Sequence, residues 1–152
     1  MSMRPASTVV LLPSSTLTTT GTGSAVISVE GYTAAIIRLT STTVTGTSPT
    51  LNMRIQQGVR DDNAATVAGE QPLAGASITW NDYAAFTQQT TAASHYIRVV
   101  AGGNVAGAAS AGALAAGSIS NGPLGSLWRV QYTIGGTNPS FAGVDVVAQL
   151  IP

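Results

Sequence analysis

Apolar and polar residues alternate in steps of two along much of this 152-residue chain. In 51–56, Leu51, Met53 and Ile55 are separated by Asn52, Arg54 and Gln56. In 128–134, Trp128, Val130, Tyr132 and Ile134 alternate with Arg129, Gln131 and Thr133. That period belongs to a strand with one buried face. Longer β-branched runs fill 34–45 and 141–151, and shorter ones are "TVVLL" (8–12), "SAVISV" (24–29), "SITW" (77–80) and "HYIRVV" (95–100). "NDYAAF", after Trp80, reads as a turn or a single helical turn. Some eight strands with little helix predict an all-β chain: a single-domain antiparallel β-sandwich or jelly-roll-like barrel with extended arm and loop segments.

One phrase occurs twice. "TVTGTSPTL" (43–51) and "TIGGTNPSF" (133–141) match at Val44/Ile134, Gly46/Gly136, Thr47/Thr137, Pro49/Pro139 and Leu51/Phe141. Each copy lies between two apolar runs. Gly46 and Gly136 can adopt positive φ, and Pro49 and Pro139 fix φ near −65° without a ladder partner. The phrase therefore predicts a β-hairpin connection of about four residues, used at two equivalent corners of the fold.

Residues 1–8 read as a flexible N-terminal arm, with the β-sandwich domain occupying 9–152. Its first apolar run ends at Pro13. Gly, Pro and paired Asp make 58–76 an irregular surface excursion. The stretch 101–122 is almost entirely small residues, with Gly107, Gly112, Gly117 and Gly122 spaced through it. Each of those glycines costs about 1 kcal/mol in a helix, so an extended or loosely ordered arm is expected, with a short helix as the second reading.

Charge is scarce. Only 8% of residues are charged and the net charge is zero, against about 25% charged in an average soluble domain. All six basic residues are arginines. A nucleic-acid surface needs clustered cations and a positive balance, and a cationic membrane helix needs the same. Neither nucleic acid nor membrane is an expected partner. No stretch has the length of a signal peptide's apolar core or of a spanning helix, so the expectation is a protein made in the cytoplasm and used without export. A neutral surface of Thr, Ser, Ala, Gly, Asn and Gln tends to associate, which points to coverage by other protein.

Catalytic chemistry is hard to find. His95 is the sole histidine and there is no cysteine, so neither a zinc constellation nor a Cys/His pair can form. Asp61 and Asp62 lack the spacing of a calcium loop and read as a solvated turn. Glu30, Glu70, Asp82 and Asp145 are scattered singly, and Ala108 stands where a nucleophile elbow around Ser110 would require glycine. No enzyme activity, cofactor or metal is expected. Arg38, Arg54, Arg98 and Arg129 each fall inside a strand, opposite its core face. They either pair across strands with Glu30, Asp82 or Asp145, or make bidentate contacts with carboxylates on a partner.

The order "GYTAAIIRLTSTTVTGTSPTLNMRIQ", "TWNDYAAFTQQTTAA", "HYIRVV", "LWRVQYTIGGTNPSF" resembles the small β-rich capsid decoration (auxiliary or cement) proteins of tailed bacteriophages, including those of thermophilic phages. The resemblance covers roughly 25–147, and its most specific part is the doubled phrase with "WRVQYTIGGT". It implies a homotrimer on the outer surface of an icosahedral shell, clamping neighbouring subunits of the major capsid protein. The family supplies no catalytic residues. The segment 101–120 is longer than the Gly turn expected there. A fibre or spike module recognising a host glycan is the alternative; such sites present aromatic platforms, for which Trp80, Trp128 and Tyr83 are candidates.

Overall fold

The computed structural model describes residues 5–23, 27–29, 31–61, 77–101, 114–120 and 127–152. They form eight strands, β1 (Ser7–Leu17), β2 (Gly21–Thr22), β3 (Ile27–Ser28), β4 (Ala34–Thr40), β5 (Thr43–Asp61), β6 (Ser77–Ala85), β7 (Ser94–Val100) and β8 (Leu127–Ile151), with no helix among the described residues. All pairing is antiparallel, in the order β6-β5-β8-β4-β7, and β1, β2 and β3 lie along the other side of β8. The result is one curled antiparallel sheet, a half-barrel.

The last strand organises the whole. Along one side of β8, Ala34 lies opposite Ile151, Thr40 opposite Asp145, Thr43 opposite Ala142 and Gly58 opposite Leu127. Each step forward on β4 and β5 is a step back on β8, so 34–58 behaves as one strand interrupted at Ser41 and Thr42. The Thr42 N–H continues the ladder to the Ala142 carbonyl at 2.9 Å.

Chain length shows how far this ladder bends. Straight, the 25 residues of β8 would span roughly 80 Å. Yet Ser28 pairs with Leu127 and Ala34 with Ile151, and the chain from Ser28 to Ala34 reaches at most about 22 Å. The two ends of β8 are therefore brought together. The bend lies at the repeated phrase. On one flank Leu17 pairs with Phe141 and Gly21 with Tyr132; on the other, Gln89 pairs with Leu51 while the Ala93 carbonyl accepts from Ser41 N–H. Both flanks take a short cut past the bowed segments 41–51 and 132–141. Buried Ser41 and Gln89 hold the short cut: Ser41 Oγ donates to Gln89 Oε1 at 3.0 Å, and Gln89 Nε2 donates to the Ala93 carbonyl at 3.2 Å.

This corrects the hairpin expectation. The runs flanking each phrase do not pair with each other, because β4 and β5 both pair with β8. The two copies of the phrase pair with one another. Val44 faces Phe141 and Leu51 faces Ile134, with Thr47 opposite Thr137 between them. Since Val44 corresponds to Ile134 and Leu51 to Phe141, the contact has a local twofold. From Thr45/Ser140 to Thr47/Thr137 the extra residue is on β8; from there to Thr50/Gly135 it is on β5. The two bulges cancel, and the register beyond them is unchanged.

The backbone repeats as well: φ is 112° at Gly46 and 108° at Gly136, 49° at Ser48 and 48° at Asn138. A Cβ on Gly46 would sit 2.7 Å from the Asn138 carbonyl oxygen; one on Gly136 would sit 2.6 Å from that of Ser48. Each turn occupies space that a side chain on the other would need.

Strand bounds differ from expectation at both ends of β1, in β6 and in β5. β1 runs through Pro13, which an edge strand tolerates within the irregular register between Leu12 and Ser15. It also begins at Ser7, opposite Leu150, inside the expected arm. β6 continues through "NDYAA", because a bulge sets Tyr83 as an extra residue between Ala84, opposite Ile55, and Asp82, opposite Gln56. Of the expected excursion, β5 takes residues up to Asp61, and 62–76 lie outside the described residues. Of the Ala/Gly-rich arm, 102–113 and 121–126 lie outside them, while 114–120 packs on β6: Ile119 pairs with Ala84, and Ser120 N–H donates to the Tyr83 carbonyl at 2.6 Å.

One core fills the concave side. Ile37, Leu39, Leu51, Met53, Ile55, Trp128, Val130, Val144 and Val146 are fully buried and belong to a single cluster with Leu11 and Phe86.

Candidate functional site

The convex side carries the four strand arginines, and the two halves of the sheet treat it differently. On the half built from β5, β6 and the first part of β8, Arg54, Gln56, Asp82 and Arg129 form a closed polar network. Asp82 is buried. Its Oδ1 accepts from Gln56 Nε2 at 2.9 Å; its Oδ2 accepts from the Leu114 N–H at 3.1 Å and lies 3.3 Å from Arg54 Nε. Gln56 Oε1 in turn accepts from Arg129 Nε at 2.9 Å. The Arg129 guanidinium lies 4.3 Å over the Trp80 ring. Trp80 fits there because its cross-strand partner is Gly58, where a Cβ would come within 2.9 Å of the indole. Burial pulls the Arg129 pKa below its usual value. Every charge in this network meets an opposite charge, an amide or a ring, as buried charges require.

On the half built from β1, β4, β7 and the second part of β8, Arg38 and Asp145 pair through a single 3.2 Å contact, Nη2 to Oδ2, and both side chains are partly exposed. Their neighbours are apolar. Cross-strand partners share a face. Arg38 stands opposite Tyr96 and Val147, Val147 opposite Val10, Ile36 opposite Gln149 and Arg98, and Ala34 opposite Val100. The exposed large hydrophobic residues among those described are Val10, Ile36, Tyr96 and Val100, and all four lie on this one face. Tyr96 is 66% exposed. Thr8, Ile36, Arg38, Tyr96, Val147 and Gln149 line a shallow depression of about 310 Å³ here.

Two of the four strand arginines pair with carboxylates across strands. Arg54 meets Asp82 and Arg38 meets Asp145; Arg129 is held by Gln56 and Trp80, and Arg98 takes part in neither ion pair. Glu30 lies outside the described residues. Gly46, Pro49, Gly136 and Pro139 come together at the elbow, as paired turns rather than as hairpin connections.

Trp128 and Tyr83 are core residues with ring centroids 5.8 Å apart, and Trp80 is covered by Arg129. None is a platform open to a ligand. The Trp128 indole N–H is buried without a hydrogen-bond partner. His95 is half-buried opposite Leu39. Among the described residues no group of three or more His, Asp and Glu side chains is placed to hold a metal ion. Asp62 and Ser110 lie outside those residues.

Sequence reasoning missed Gln56 and the backbone of Leu114, which complete the Asp82 site, and the exposed apolar face. The signal for that face was present: Ala34, Ala35, Ile36 and Ile37 are four apolar residues in a row, which puts apolar side chains on both faces of the strand.

The chain matches no known family model, and neither curated proteins nor solved structures give a significant match.

Proposed function

We propose that this chain is a virion structural protein, a decoration protein that binds the outer surface of an icosahedral phage capsid as a homotrimer and stabilises the shell. The observation that carries the reading is the uncovered apolar face around Ile36 and Tyr96 on a chain whose net charge is zero. Contiguous apolar surface of this kind marks contact with other protein. The resemblance of 25–147 to decoration proteins supplies the partner, the major capsid protein, and the number of copies. Sedimentation of the purified chain should give three times 15.3 kDa. Mixed with shells of the encoding phage that lack it, the chain should co-sediment, with affinity changing little as salt rises, because long-range attraction needs net charge. A chain that stays in the supernatant overturns the reading; binding that collapses at moderate salt overturns its apolar basis.

A fibre or spike module for host glycans has one observation in its favour: the exposed Tyr96 ring stands on the same face as the Gln149 amide and the Thr8 hydroxyl. Saccharide binding lost on Tyr96→Ala, in a protein that ignores shells, would establish it.

A further inference from the structure

Resting on that reading, we infer that the surface the chain turns to the shell is the convex face of β1, β4, β7 and the second half of β8, and that its occupant is a weakly charged, apolar surface of the shell protein. Three observations lead there.

The first is the contrast between the two convex faces. Over β5 and β6 the polar groups are satisfied internally, and the Leu114–Ser120 backbone lies along β6. Over β4 and β7 nothing among the described residues covers Val10, Ile36, Tyr96 and Val100.

The second is charge. Arg38 and Asp145 neutralise each other within the face, which leaves Arg98 as its one cation outside an ion pair among the described residues. A strongly charged partner would find nothing to oppose it, whereas an apolar surface with at most one carboxylate near Arg98 fits.

The third is size. Four strands at about 4.8 Å spacing and seven residues of about 3.3 Å rise define a face of roughly 19 by 23 Å, or about 440 Å². A stable pairwise interface takes about 800 Å² from each partner. One face is therefore too small to hold a second copy of this chain by itself. Three faces on one trimer offer about 1,300 Å², and engaging a lattice of repeated sites lets the second and third contacts form at high effective concentration. The area selects a multivalent, repeating partner over a lone copy.

The test compares wild type with Tyr96→Ala, with the triple variant Val10→Ser, Ile36→Ser, Tyr96→Ala, and with Gln88→Ala as a control on an exposed residue outside the face. The probe is the shell of the encoding phage, assembled without this chain. The triple variant should keep the wild-type melting temperature and trimer mass and bind shells about 100-fold more weakly or worse. Tyr96→Ala should lie between, and Gln88→Ala should match wild type. Hydrogen exchange on shell-bound wild type should slow at β4 and β7 and leave β6 unchanged, a readout independent of any variant. Wild type that binds while the triple variant binds equally overturns the assignment of the face and leaves the proposed function standing. Wild type that does not bind overturns both. A triple variant that loses its trimer makes this face the contact between copies, which also overturns the inference.

Discussion

The half of the molecule built on β5 and β6 and the half built on β4 and β7 each carry an arginine–aspartate pair on the convex side, in different surroundings. Asp82 is shut away from water, accepts hydrogen bonds from Gln56 Nε2 and the Leu114 N–H, and forms an ion pair with Arg54. Asp145 is partly exposed and meets one guanidinium nitrogen, with its Oδ1 and Arg38 Nε left without partners. The same two residue types thus do different work. The first pair is part of how the sheet closes over itself. The second cancels its own charge on the face that exposes Val10, Ile36, Tyr96 and Val100, so that the face keeps its affinity for a weakly charged surface. Charge is scarce in this chain, and where it is placed separates the finished face from the open one.

The contrast breaks most sharply at Arg54. Arg54→Ala removes a partner from a buried carboxylate and should destabilise folding by about 3–5 kcal/mol, read as a lower urea midpoint at unchanged slope. A loss under 1 kcal/mol would mean that Asp82 is held by Gln56 and Leu114 alone. Next comes the elbow that joins the halves. Gly46→Val and Gly136→Val should each cost about 1–3 kcal/mol from the backbone conformation alone. Because each side chain would invade the opposite turn, the two should be non-additive in a double-mutant cycle; simple additivity would mean the turns are independent.

A pH titration sharpens the comparison from within the closed half. Burial raises the Tyr83 pKa above its usual value, so folding favours the neutral phenol. That contribution is fully present below about pH 10, the unfolded value, and is lost as pH rises through the folded one. Stability should therefore fall on the alkaline side, and Tyr83→Phe should flatten the fall. An unchanged profile would assign it to another group. The smallest effect belongs to the open face: Arg38→Ala should change stability by about 0.2–1 kcal/mol, and a loss comparable to that of Arg54→Ala would erase the distinction drawn between the two pairs.

Much of the strand content was legible because it rests on alternation. Met53 and Ile55 inside with Arg54 outside, or Trp128 inside with Arg129 outside, are local facts that the period records. Partner choice is not local. Nothing between 43 and 51 announces that its partner is its own counterpart at 133–141, since a glycine-proline turn serves a hairpin or a bulged strand equally well. The extension of β6 past Trp80 is not legible, because the bulge at Tyr83 buries Asp82, Tyr83, Ala84 and Ala85 in succession and leaves no period of two. The burial of Asp82 is not legible in its neighbourhood, because the groups that make it tolerable, Gln56, Arg54 and Leu114, lie 26 to 32 positions away. Alternation does put the four arginines opposite the core side of their strands, and Asp82 and Asp145 are partners for two of them.

Since β8 separates the strands on either side of it and comes last in the chain, its position has a consequence for biosynthesis. While the ribosome is still making residues before Leu127, β1, β4 and β5 have no central strand to pair with, and their apolar sides stay open to any other strand nearby. Ordering then waits for the C-terminal stretch to emerge and be threaded between two segments already made, a non-local step of the kind that slows β-proteins. A nascent chain stalled before Leu127 should be protease-sensitive and chaperone-bound, whereas one with Ile151 clear of the exit tunnel acquires the register of the whole sheet in a single event.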